Sequence, residues 1–153
     1  MTSAIVNQAT IAELEDVAAL FNEYRIFYGQ ESDPDGAKKF LFDRFEHGES
    51  VIFIARDEEG GQAIGFTQLY PSFSSVSMKR IWILNDLFVT EKRRKRGAAQ
   101  SLLQAAEEYA VRTKSKGLEL ATAPDNERAQ RLYVNNGYKK DEEFYHYYLH
   151  VLA

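Results

Sequence analysis

The chain has 153 residues, 44% hydrophobic and 27% charged, with 19 Lys and Arg against 23 Asp and Glu for a net charge of -4. These proportions exclude wholesale disorder and point to one domain, residues 1–153, burying roughly two-thirds of its unfolded surface. The acidic balance argues against a nucleic-acid binder; the absence of cysteine excludes disulfides, thiolate catalysis and Cys-based zinc; three histidines at 47, 146 and 150 give no metal cluster.

In chain order, AIVNQAT reads as a short strand, and Thr10 with Glu13 fits a capping box. Ile11, Leu14, Val17, Ala18, Phe21 and Tyr24 then recur at helical spacing. The chain turns between Gly29 and Gly36, and Ser32 or Asp33 ahead of Pro34 starts a second helix with Phe40, Leu41 and Phe45 on its apolar side. SVIFIAR and AIGFTQLYP read as a hairpin about DEEGGQ, the second strand closed by Pro71. RIWILNDLFV is apolar on both faces and is expected to be central. A basic turn, KRRKRGA, leads into a helix through about Thr113, with Leu102, Leu103, Ala106, Tyr109 and Ala110 on one face. LELAT is a further strand; Asn126 or Asp125 caps a last helix that Gly137 ends, and EFYHYYLHV alternates as a final strand. No window approaches the roughly eighteen apolar residues of a membrane span, and the N-terminus lacks an export pattern, so a cytoplasmic protein with no membrane partner is expected.

Residues 85–104, NDLFVTEKRRKRGAAQSLLQ, carry the chemistry. A central strand runs into a turn with the small residues Gly97, Ala98 and Ala99, then a helix start whose unpaired amides and dipole suit a pyrophosphate. Arg94, Lys95 and Arg96 add charge-assisted donors. The segment is neither a P-loop nor GxGxxG. A solvated basic turn is an equal reading on local chemistry, and a nucleic-acid patch is a third that the acidic remainder disfavours.

The run R-K-R-G-A-A at 94–99 resembles the Q/R-x-x-G-x-G/A signature of the GNAT superfamily of acyl-CoA-dependent N-acyltransferases. N-x-x-A-x-x-L-Y-x-x-x-G-Y, from Asn126 to Tyr138, is similar to that family's second motif. ILNDLFV and the tail look like its small histone, polyamine and amino-acid acetyltransferases. Two departures stand out: Lys95 lies where many relatives have Gly, and Ala99 where the last Gly is common.

The resemblance implies a mixed α/β fold, a mostly antiparallel sheet of six to seven strands flanked by about four helices. It also implies acetyl-CoA as acyl donor, no metal, and acetyl transfer to a primary amine of a polyamine, amino acid or basic protein. Leu87 and Val89, with Phe88 between, would hold the pantetheine arm as an added strand. Amides from Arg94 through Lys95, Arg96, Gly97, Ala98 and Ala99 to Gln100 and Ser101 would cradle the pyrophosphate. Asn126 would contact the arm near the thiol, and Tyr133 would protonate the leaving thiolate.

Asp86 is a candidate base, with a structural acid paired to a cation as the equal alternative. Asn85 stands where some polyamine-acetylating relatives place a Glu; Asn cannot be a base, which leaves a water-relayed route open. Glu119, His146 and His150 are weaker candidates, and a packed aromatic is the alternative for Tyr133. Tyr24, Tyr28 and Glu31, with Asp33 and Asp35, offer aromatics and carboxylates to a cationic acceptor, small amine or basic peptide. The aromatic tail invites pairing with a second chain, so a homodimer is expected. A non-catalytic acyl-CoA sensor is the competing reading.

Overall fold

Five runs rich in β-branched and aromatic residues form one sheet in the structure, a computed structural model that describes residues 4–94 and 97–152. The strands are β1 (Ile5–Gln8), β2 (Val51–Arg56), β3 (Ala63–Ser74), β4 (Lys79–Val89) and β5 (Gly117–Glu119), adjacent in that order. The first four are antiparallel, and β5 lies parallel to β4. Four helices accompany them: α1 (Leu14–Phe27), α2 (Pro34–His47), α3 (Ala98–Arg112) and α4 (Glu127–Asn135). The chain divides into two compact units, Met1–Ala121 and Thr122–Ala153, so the sheet and α1 to α3 belong to the first and α4 to the second. Among the described residues no helix is long and apolar enough to cross a membrane.

Local chemistry explains the helix starts. Thr10 and Glu13 form the expected capping box on a single 3₁₀ turn, Ile11–Glu13, that leads into α1. Asp33 caps α2 through the Gly36 amide, with Pro34 in the first turn, and left-handed Gly48 ends that helix. The apolar stripes then sort the helices onto the two sheet faces. Leu14, Val17, Leu20 and Phe21 of α1 and Ala37 and Leu41 of α2 pack with Ile52, Ile54, Phe66 and Phe88. On the opposite face Tyr109 of α3 meets Phe53 and Trp82, with ring centroids at 5.6 and 5.3 Å. The indole of Trp82 also donates to the Thr113 hydroxyl at 2.9 Å. The sheet is therefore covered on both sides within the first unit.

Two expectations need correction. The sheet has five described strands, not six to seven, because EFYHYYLHV forms none: residues 139–152 contain no helix or strand. Its alternation separates no buried face from an exposed one; Tyr145 and Tyr147 are 91% and 92% exposed, and Tyr148, between Tyr147 and Leu149, is exposed as well. Nor does Pro71 close its strand, since β3 runs on to Ser74 with Pro71 opposite Trp82. β2 starts at Val51, opposite Leu69, so beyond that point β3 pairs on one side only among the described residues, where a missing N–H is tolerated.

Gly65 lets β3 and β4 approach closely. A Cβ at that position would sit 2.7 Å from the Phe88 carbonyl oxygen, a backbone atom held by the ladder. Gly65→Ala is expected to lose about 1–3 kcal/mol of stability by overpacking. Urea denaturation would show this as a lower midpoint with an unchanged slope; an unchanged midpoint would mean the strands can part without cost.

Candidate active site

One extra residue in β4 creates the site. Gln68 of β3 pairs with Asp86 and Leu69 with Leu84, so Asn85 has no opposite number and forms a β-bulge. Alternation alone would put Trp82, Leu84, Asp86 and Phe88 on one face. The inserted residue breaks that parity. Trp82 faces α3, whereas Phe88 meets Tyr24 of α1 with ring centroids at 5.9 Å. Asp86 is thereby turned toward α1, into the aromatic side of the sheet.

Asp86 is only 4% exposed, yet no salt bridge reaches it among the described residues. Neutral donors surround it. Gln68 Nε2 donates to Oδ2 at 2.6 Å, Asn85 Nδ2 reaches Oδ1 at 3.3 Å, and the Tyr24 hydroxyl also donates. Burial nonetheless dominates and holds the Asp86 carboxyl above its ordinary value, the three donors opposing it. Among the described residues no cation pairs with Asp86. Nearby Tyr70 is pushed up to about 12, chiefly by burial and then by the negative charge of Asp86. The Thr67 hydroxyl donates to the Asp86 carbonyl at 2.8 Å, so adjacent residues of β3 hold its main chain and its side chain.

β4 also offers a backbone edge. It pairs with β5 only through Ile81, Trp82 and Ile83, and the described ladder stops there. Across the other side, Thr90 N donates to Ile64 O at 2.8 Å. In an antiparallel ladder the groups of alternate residues point to alternate edges, so Leu87 and Val89 turn theirs away from β3. This is the edge on which an extended ligand could lie as a strand. Arg94 occupies part of it: its Nε donates to Val89 O at 2.9 Å, and its guanidinium lies over Phe27 and Phe88 at 4.9 and 5.5 Å from the ring centroids. The Arg94 side chain is thus folded back along the strand end rather than reaching outward. Lys95 and Arg96 lie outside the described residues.

Gly97 is left-handed at φ 86°, has nothing within 4 Å of a built Cβ, and caps α3 with no side-chain hydrogen bond. Ala98 follows as the first helical residue, with Ala99 and Gln100 in the same turn. A bare helix start, short side chains and an open approach fit a phosphate group. The coenzyme that the resemblance implies is therefore compatible with the residues present.

The structure joins Tyr24, Tyr28, Asp86, Phe88 and Arg94 into one neighbourhood; the rings of Tyr24 and Tyr28 lie 5.1 Å apart. Glu31 stands exposed nearby in sequence, its carbonyl 3.5 Å from the Arg25 guanidinium. In the second unit, Asn126 caps α4 by accepting from Ala129 N at 3.2 Å. Tyr133 is half-buried, its ring 5.8 Å from that of Tyr138, and Tyr138 N donates to Tyr133 O at 3.1 Å. Among the weaker candidates, Glu119 is exposed at the end of β5, and His146 lies 3.5 Å from Asp141 in the exposed tail.

Gln68 escaped the sequence reading. Its side chain is wholly buried, and while Nε2 holds Asp86, Oε1 has no hydrogen-bond partner. Leaving a buried acceptor unpaired costs about 1–3 kcal/mol. The available signal was a polar amide in an apolar strand, two positions from Phe66 and so on its face.

Comparison with known proteins gives this geometry a family. The acetyltransferase (GNAT) family model matches residues 14–138. Over 148 residues the chain is 53% identical to the uncharacterized N-acetyltransferase YhfO of Bacillus subtilis (strain 168), covering 97% of this chain and 98% of that protein. A crystal structure of a probable acetyltransferase matches with a TM-score of 0.93 at 44% identity, over 97% of this chain and 99% of that one. The D-amino-acid N-acetyltransferase HPA3 of Saccharomyces cerevisiae is 33% identical over 92 residues, 60% of this chain and 57% of that protein.

The Asp86 environment predicts a pH dependence of stability. Because its folded pKa lies above the ordinary 3.8, the folded state retains a proton that the unfolded chain has released. Its contribution is therefore greatest below the unfolded value and is lost as pH rises through the folded one. Asp86→Asn lacks this loss, so its stability relative to wild type should grow as pH rises above about 4. Melting curves across that range would show it; a constant difference would mean that Asp86 titrates normally.

Proposed function

The chain belongs to the acetyltransferase (GNAT) family of acetyl-CoA-dependent enzymes, and from that premise we propose that it acetylates a primary amine directly, within a ternary complex. The observation that carries this reading is a buried carboxylate with no counter-cation among the described residues, Asp86, on the same strand as an open backbone edge. When bound, acetyl-CoA supplies the acetyl group as a thioester, whose carbon–sulfur bond breaks as the new carbon–nitrogen bond forms. Asp86 takes the proton lost by the amine, directly or through water; its raised pKa suits it to this exchange. The Leu87 or Val89 amide donates to the carbonyl oxygen as negative charge develops there. Tyr133 gives a proton to the departing thiolate; Asp86 then releases the amine proton to solvent and Tyr133 regains one, which closes the proton balance.

Binding is assigned to the same elements. Leu87, Phe88 and Val89 hold the arm, Asn126 contacts it near the thiol, and the turn from Arg94 through Gln100 receives the pyrophosphate. Tyr24, Tyr28 and Glu31 recognise the acceptor, which we take to be a polyamine, an amino acid or a lysine of a basic protein. Aromatic rings beside a lone buried carboxylate favour a cation. The name of the yeast relative, a D-amino-acid N-acetyltransferase, supports including amino acids of both hands. We also propose a homodimer in which a second copy covers residues 142–152, whose Phe144, Tyr145, Tyr147, Tyr148, Leu149, Val151 and Leu152 are exposed.

Amine-dependent release of CoA from acetyl-CoA is expected with at least one class among spermidine, L- and D-amino acids, aminoglycosides and lysine-rich peptides. Tight acetyl-CoA binding with no release from any of them would overturn the amine-transfer reading. Tyr133→Phe should lower kcat by about 10²-fold or more while acetyl-CoA affinity measured by calorimetry stays unchanged; equal kcat would remove Tyr133 as the acid. Light scattering should give a mass near two chains, falling to one for Tyr147→Glu with Leu149→Glu, and a monomeric wild type would refute the dimer.

A further inference from the structure

We propose that Gln68 is a positioning residue of the acetyl-transfer site: its buried amide anchors Asp86 Oδ2 and leaves Oδ1, on the side of exposed Asn85, as the oxygen that takes the amine proton. This rests on the reading of Asp86 as the proton acceptor.

Four observations carry it. Gln68 lies directly across the ladder from Asp86, at the bulge that turns the carboxylate toward α1. The contact is short, 2.6 Å from Nε2 to Oδ2, between a wholly buried amide and a carboxylate that is 4% exposed. With Asp86 ionised the amide has one workable orientation, because the flipped one would aim Oε1 at a carboxylate that has no proton to give. Finally, Oε1 has no partner among the described residues. A residue serving packing alone would be apolar at this position, since an apolar side chain of the same size leaves nothing unpaired. The amide is therefore retained for what its Nε2 does to Asp86.

Among the described residues the other groups facing Asp86 are neutral. Tyr24 comes from α1, Tyr70 from β3 and Asn85 from β4, and the charge of Arg44 in α2 acts on Tyr70. Removing the Gln68 donor removes a hydrogen bond that favours the charged carboxylate, so Asp86 should hold its proton to higher pH.

The test is a ¹³C NMR titration of the aspartate carboxyls in the full chain, with the Asp86 signal assigned from Asp86→Asn. It is paired with the pH profile of kcat/KM, measured on the amine that releases CoA fastest from the panel above. Gln68→Met should raise the Asp86 pKa by about one unit and move the acidic limb by the same amount. Activity on that limb then falls about tenfold, with the KM for acetyl-CoA unchanged. Should that variant fold poorly, Gln68→Glu preserves the shape and gives a larger upward shift, because two carboxyls then share a proton. If Asp86→Asn abolishes the acidic limb but neither Gln68 variant moves it, the positioning role is overturned and the base assignment stands. If Asp86→Asn leaves rate and profile intact, the base assignment fails, and the inference with it.

Discussion

The site depends on a single inserted residue. Without Asn85 in β4, Asp86 and Phe88 would share a face with Trp82 and Leu84 and point toward α3. With it, Trp82 serves the core beneath α3 while Phe88 joins Phe21, Phe66 and Tyr24 on the other side. The carboxylate is delivered into that aromatic layer beside it. The bulge costs a regular pairing, and Thr67 offsets part of that by donating to the Asp86 carbonyl. Strand geometry, not a flexible loop, therefore sets the direction of the functional group.

Burying Asp86 there is unfavourable for folding. No cation compensates it among the described residues, and three neutral donors do not cancel the loss of water, since the net shift of its carboxyl remains upward. Gln68 adds a second unfavourable element with its unpaired Oε1. An apolar pair facing each other across β3 and β4 would be simpler to bury. Two polar groups in direct contact, each incompletely compensated, mark a place where the fold departs from its own stability rules. Such departures concentrate at functional or strained places in a fold.

Much of this was legible in the sequence, and the exceptions have physical reasons. Thr10, Asp33 and Asn126 act as helix caps because short polar side chains ahead of an apolar periodic run have few other uses. RIWILNDLFV forms the interior strand β4, although β3 and not β4 lies at the middle of the sheet, and Asp86 stood out as the one acidic residue within it. The bulge was not legible: one strand read alone has no register, and an extra residue exists only relative to a partner. For the same reason Gln68 passed as an ordinary strand residue until its partner across the ladder was known. EFYHYYLHV shows the converse. Its alternation satisfies a strand pattern, yet a strand is made by the ladder it joins, and residues 139–152 form none.

The helix starts extend the argument to the basic turn. Side chains close the start of α2, the start of α4 and the 3₁₀ turn ahead of α1, each accepting from a backbone amide. α3 begins instead at left-handed Gly97, with no side-chain cap. A Ser, Asp or Asn as N-cap gains only a few tenths of a kcal/mol over Gly. Its oxygen would also occupy the amides an anion needs, and Asp would repel that anion. A glycine gives up the side-chain hydrogen bond and keeps the approach open, at a φ that other residues adopt only with strain. Asp86 with Gln68, across β4 and β3, and Gly97 at the start of α3 are thus two versions of one compromise. In each, the chain forgoes a local gain in stability where leaving a polar group available serves chemistry better than satisfying it.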